Sequence, residues 1–140
     1  MQEIVCESIS YSAPCTDCGA VLECVGVHAL VGHELRWDVS STCPACGSAV
    51  LACGDDVPSA MREQLLSAYG PARLQVSGLP TKNVTVMRVL RAELDDIDLV
   101  TARTLLRRLL SGDYTGTLPE TERMARKLRA AGVTAVATRP

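Results

Sequence analysis

The sequence predicts an α+β chain made of two small domains, a β-rich head followed by a βααβαβ tail. Three observations predict it. Two cysteine pairs, Cys15-Thr-Asp-Cys18-Gly and Cys43-Pro-Ala-Cys46-Gly, share one spacing and one trailing glycine. Between and beside these pairs, apolar residues alternate with polar ones, the period of half-buried strands. After residue 70 the charge changes sign, and after residue 80 the apolar residues recur at helical spacing.

The cysteine pairs come first because they constrain the most. Two residues between cysteines let one backbone turn aim two thiolates at one point, and glycine after the second cysteine suits a turn that needs φ > 0. Two such turns supply four soft sulfurs, the set that Zn²⁺ prefers in closed structural sites. We expect one structural zinc held by Cys15, Cys18, Cys43 and Cys46. A redox Cys-x-x-Cys would stand alone at a helix N-terminus, which makes it the weaker reading of a duplicated, glycine-flanked motif. The 24 residues between the pairs have room for a two-stranded excursion. Strands joined to two metal-binding turns describe a zinc ribbon, a resemblance covering residues 11–54.

In chain order, residues 1–14 read as a short edge strand. Residues 20–27 read as an apolar, β-branched strand, residues 33–39 as an alternating one, and Ala49-Val50-Leu51 as a fourth. Cys6, Cys24 and Cys53 lack a partner at metal-turn spacing and are expected to be buried as small hydrophobes. His28 and His33 are second-choice ligands, since four thiolates already fill a tetrahedral site. Trp37 is the expected core anchor of the head, the default for a lone Trp.

Asp55 and Asp56, followed by Pro58, announce a helix that Gly70-Pro71 stops. Residues 72–78 alternate as a strand, and Leu79-Pro80-Thr81 reads as a turn. Val84, Val86, Met87, Val89, Leu90 and Leu94 place an apolar stripe on a helix over residues 82–94. Asp98 caps a second helix with a leucine-rich stripe, ended by Gly112. Thr117 caps a third, with Pro119 in its first turn and Gly132 at its close. Residues 133–138 alternate as the last strand. The expected domains are therefore 1–56, a connecting helix at 57–71, and 72–140.

Composition narrows the function. With no Phe, one Trp and three Tyr, the cores must be built from Val, Leu, Ala and Met. Residues 1–70 carry two basic and nine acidic residues, net −7; residues 71–140 carry twelve and seven, net +5. Zinc with four thiolates makes the head more acidic by about two charges. Such a head repels phosphate backbones, so nucleic acid is disfavoured as a partner, and a zinc-ribbon nucleic-acid regulator is the alternative function. No stretch approaches the roughly 20 apolar residues that span a bilayer, so no membrane partner is expected. Seven cysteines, an odd number, without an export signal point to a reducing cytoplasm. No Ser-His-Asp set, phosphate-cradling glycine loop or paired carboxylates are visible, so an enzyme is not expected.

The tail also carries a resemblance. Asn83-Val-Thr-Val-Met-Arg-Val-Leu-Arg91, Ile97-Asp-Leu-Val-Thr-Ala-Arg103 and the segment from Leu118 to Gly132 resemble the three helices of the C-terminal domain of the bacterial large-subunit ribosomal stalk protein. The match spans residues 73–138, about half the chain. In that family the first two helices present a basic and apolar surface to translational GTPases. Carried over, Arg88, Arg91 and Arg103 stand at basic positions of that surface, and Val84 and Met87 at apolar ones. The chain departs from the pattern at Asn83, where the family usually has Lys. It departs again at Asp95, Asp96 and Asp98, which replace a glycine-rich connection. The resemblance implies that the helix pair meets a protein partner with an acidic surface, at the ribosome or on a translational GTPase. Joined to the cysteine pairs and the absence of catalytic sets, the expected function is a non-catalytic zinc-binding adaptor.

Overall fold

In a computed structural model the chain forms two compact units, Met1–Tyr69 and Gly70–Pro140. The described residues are 3–77, 81–94 and 97–139. The turn expected at Leu79-Pro80 and the acidic pair Asp95/Asp96 lie outside them. The architecture is mixed α+β, with two antiparallel sheets and four helices among the described residues. None of these helices is long and apolar enough to cross a membrane.

The first unit is a four-stranded meander, β1 (Val5–Pro14), β2 (Val21–Val31), β3 (Glu34–Thr42) and β4 (Ala49–Gly54), in the spatial order β1-β2-β3-β4. Register follows from its turns. Pro14 pairs with Val21 across the first cysteine turn, Val31 with Glu34 across the Gly32-His33 hairpin, and Thr42 with Ala49 across the second cysteine turn. Helix α1 (Ser59–Tyr69) packs on one face of the sheet, burying Leu65 against Ile9 and Trp37, with Tyr11, Val39, Val57 and Met61 around them. It begins at Ser59, after rather than at the Asp55/Asp56 pair, and the Pro58 carbonyl accepts from the Arg62 N–H as the first turn closes.

Residues with the other parity face away from α1. That decides the fate of the spare cysteines. Cys24 shares the covered side and is buried. Cys6 and Cys53 are exposed, which corrects the expectation that all three are buried. Their register partners, Ala29 for Cys6 and Asp38 for Cys53, stand on the uncovered side with them.

The second unit runs β5 (Ala72–Ser77), α2 (Asn83–Glu93), α3 (Leu99–Ser111), β6 (Thr115–Gly116), α4 (Leu118–Ala130) and β7 (Thr134–Thr138). Its sheet has the order β6-β5-β7, both pairings antiparallel. Leu74, Val86, Leu90, Leu106, Leu109, Met124, Leu128 and Val133 form the core. Helix boundaries follow local chemistry. The Asp98 carboxylate accepts from the Thr101 N–H at 2.7 Å, and Gly112 ends α3 in the left-handed region at φ 77°. Thr117 and Glu120 form a reciprocal capping box at the start of α4. Glu93 on α2 pairs with Arg123 and Lys127 on α4, tying two helices over the core.

Candidate metal centre and helix-pair groove

Both cysteine turns are built the same way. In the first, the Cys15 N–H donates to the Ala20 carbonyl at 2.7 Å and the Gly19 N–H to the Cys15 carbonyl at 2.9 Å. In the second, Cys43 and Gly47 repeat the pattern at 2.8 and 2.9 Å, with Ser48 in the place of Ala20. Gly19 and Gly47 take φ of 75° and 74°, a region that side chains disfavour, which is why glycine follows each pair. Because the turns join β1 to β2 and β3 to β4, the meander brings both to the same end of the sheet.

The four sulfurs of Cys15, Cys18, Cys43 and Cys46 lie within 4.8 Å of one another. Two approaches cross between the turns, Cys15 to Cys46 at 3.9 Å and Cys18 to Cys43 at 3.6 Å. A tetrahedral ion with metal–sulfur bonds near zinc's value of about 2.3 Å needs sulfur–sulfur separations of ~3.8 Å, which the two distances bracket. The residues fit one metal ion. Neither His28 nor His33 belongs to the cluster. His28 is instead buried on β2, where its register partners are Glu7 and Trp37.

Electrostatics in the site reflect four thiols sharing one small volume. Backbone N–H groups of Cys46 and Ala45 point at the Cys43 sulfur and, against burial, hold its pKa down at about 7. The Ser48 N–H favours the Cys46 thiolate, but its neighbours Cys43, Cys18 and Cys15, with some loss of hydration among them, push that thiol up to about 12. Four negative sulfurs cannot coexist this closely without a cation, and a bound metal supplies one. Outside the ligands, the Ser48 hydroxyl donates to the Asp17 carboxylate at 2.8 Å, linking one turn to the other.

In the second unit, the residues placed on the basic and apolar surface converge. Val84, Met87, Arg88, Arg91 and Arg103 all line one open groove of about 590 Å³ between α2 and α3. Ala92, Ile97 and Leu99 complete it and were missed by sequence reasoning. Ala92 was legible as the residue four after Arg88. Ile97 was not, because it lies before α3 and belongs to no helical stripe, and Leu99, the first residue of α3, reads as part of that helix's core stripe although the structure leaves it exposed. Arg107 is exposed but lies outside the groove lining. Val84 is 71 % exposed, so the groove offers apolar surface as well as charge.

The arrangement defines a class, an α+β protein whose β-rich first unit carries a zinc-ribbon-like four-cysteine metal site. No family model matches the chain, and neither a curated protein nor a solved structure matches it.

Proposed function

We propose that the protein is a non-catalytic, zinc-binding adaptor. One Zn²⁺ on Cys15, Cys18, Cys43 and Cys46 staples the acidic first unit, and the α2/α3 groove of the second unit docks a protein partner with an acidic surface. Zinc is favoured over other ions by the all-thiolate donor set and by its tolerance of tetrahedral geometry. The four-ligand set leaves no open position for a substrate, which argues for structure rather than catalysis. The setting we propose is the cytoplasm, where such thiolates stay reduced.

What carries the reading is the convergence of three arginines with Val84 and Met87 in one groove. Arginine gives a fixed fork that pairs with carboxylates in two bonds, and adjacent apolar surface supplies the affinity that exposed ion pairs lack. Among acidic partners, a translational GTPase at the ribosome is the one implied by the resemblance to the stalk protein's C-terminal domain, and it is the first to try.

The test is capture from the native host with the zinc-loaded chain and with the Arg88→Glu/Arg91→Glu double variant. Both substitutions are on exposed positions, so metal content and folding should match the parent. The reading requires a reproducible partner that the double variant no longer recovers. Equal recovery by both chains would reject it.

A further inference from the structure

The outer edge of β1 carries a second surface, unrelated to the α2/α3 groove. β1 is ten residues long and, among the described residues, pairs only with β2. In an antiparallel strand, alternate residues direct their N–H and C=O to opposite sides. The Tyr69 hydroxyl accepts from the Ser8 N–H at 3.2 Å and donates to the Ser8 carbonyl at 2.9 Å. Both main-chain groups of Ser8 therefore point away from β2, and by alternation so do those of Ser10 and Ser12. One hydroxyl here does for Ser8 what a residue on a neighbouring strand would do.

Beside this edge lies an open groove of about 430 Å³, lined by Ser8, Ile9 and Ser10 on β1 and by Gln64, Ser67, Ala68 and Tyr69 on α1. Four of its seven lining residues, Ser8, Ser10, Ser67 and Ala68, have short side chains, which leaves room for a main chain between the strand edge and the helix. A strand laid there would sit about 5 Å from β1 and take up the outward groups of Ser10. The surrounding unit, with nine acidic residues against two basic, favours a cationic occupant. A second copy of the same unit would bring like charge to the edge and is disfavoured for that reason.

We infer that the β1/α1 groove is a strand-addition site for an extended, lysine- or arginine-bearing segment of another protein. Recognition is main-chain pairing to Ser10 and beyond, with charge attraction from the acidic unit and a limit on side-chain size above Ala68. Tyr69 acts as a placeholder that protects Ser8 until the segment arrives.

The experiment uses the full zinc-loaded chain as bait for a phage-displayed library of random peptides, and then measures the best enriched peptide by fluorescence anisotropy. Enriched sequences should be basic and lack proline in their paired stretch. Ser10→Pro removes an outward N–H while the ladder to β2 stays whole, a place where edge strands tolerate proline, and should weaken binding about tenfold. Ala68→Arg, an exposed change on α1, blocks the groove and repels the peptide, and should weaken it without touching the strand. Tyr69→Phe frees Ser8 and should tighten binding, whereas a purely structural role for Tyr69 would loosen it. Metal content and Trp37 emission confirm folding of each variant.

The inference fails if no peptide is enriched over a display control. It fails equally if enriched peptides bind the Ser10→Pro and Ala68→Arg variants as well as the parent. Sedimentation showing a dimer that Ser10→Pro dissociates would assign the edge to self-pairing instead and overturn the heterologous reading.

Discussion

Gly26 and Trp37 show how closely one residue can be specified. A Cβ on Gly26 would come within 2.2 Å of the Trp37 ring, far inside contact distance, so the indole lies directly over the β2 backbone. Gly26→Ala must push the ring off its position under α1, where Ile9 and Leu65 also pack. Overpacking of this kind costs about 1–3 kcal/mol, and a denaturant melt followed by Trp37 emission should show the loss. An unchanged midpoint would mean that the ring has a second seat. Asp17 and Ser48 are a different kind of specification. Neither offers a sulfur, yet their 2.8 Å hydrogen bond fixes one cysteine turn against the other. Outer contacts of this sort commonly hold about tenfold or more in metal affinity. Asp17→Ala and Ser48→Ala should each lower affinity by that order in competition with a chromophoric chelator, and the double variant should lose no more than the singles.

Elements in the second unit begin and end where side chains satisfy the helix termini. Thr117 is buried and takes part in both halves of its capping box, so Thr117→Ala should destabilise the unit by about 1 kcal/mol in a thermal or denaturant melt. Asp98 is exposed and makes a pH prediction. The Thr101 side chain and backbone N–H, aided by nearby Arg91, hold the Asp98 carboxyl below its usual 3.8. A depressed folded-state pKa means the cap contributes fully above the unfolded value and is lost as pH falls through the folded one. The helix α3 amides should therefore exchange faster as pH drops below the ordinary aspartate range, once intrinsic rates are removed. Asp98→Asn should abolish that acid-dependent component while keeping most of the cap.

For the molecule as a whole, the two units differ in what holds them together. Among the described residues of the first, Ile9, Trp37 and Leu65 form a small buried cluster with partly buried neighbours, and β4 is exposed along its whole length. The second has ten buried apolar residues in one cluster. Metal binding should thus supply much of the first unit's stability and none of the second's. Treatment with a strong chelator should release amide protection across β1 to β4 while β5, α4 and β7 keep theirs, read by hydrogen exchange. Protection lost equally from both units would show that their stabilities are linked.

The motif spacing alone picked out the four cysteines that the structure clusters, because a Cys-x-x-Cys-Gly turn is a local object whose geometry is set by a handful of dihedrals. Periodicity and capping residues likewise placed every helix and most strands, since Gly112, Thr117 and Gly132 act on their own neighbours. Only the tertiary structure decided which face of a strand is covered. Cys6, Cys24 and Cys53 look alike in sequence, yet the one on the face that α1 packs against is buried and the two on the other face are in solvent. It alone showed Ile97 and Leu99 joining the arginines of the groove, and Tyr69 reaching across 61 residues to Ser8. Local rules fix what a turn or a helix end will be. Which elements then lie against each other depends on long-range packing that no short window of residues encodes.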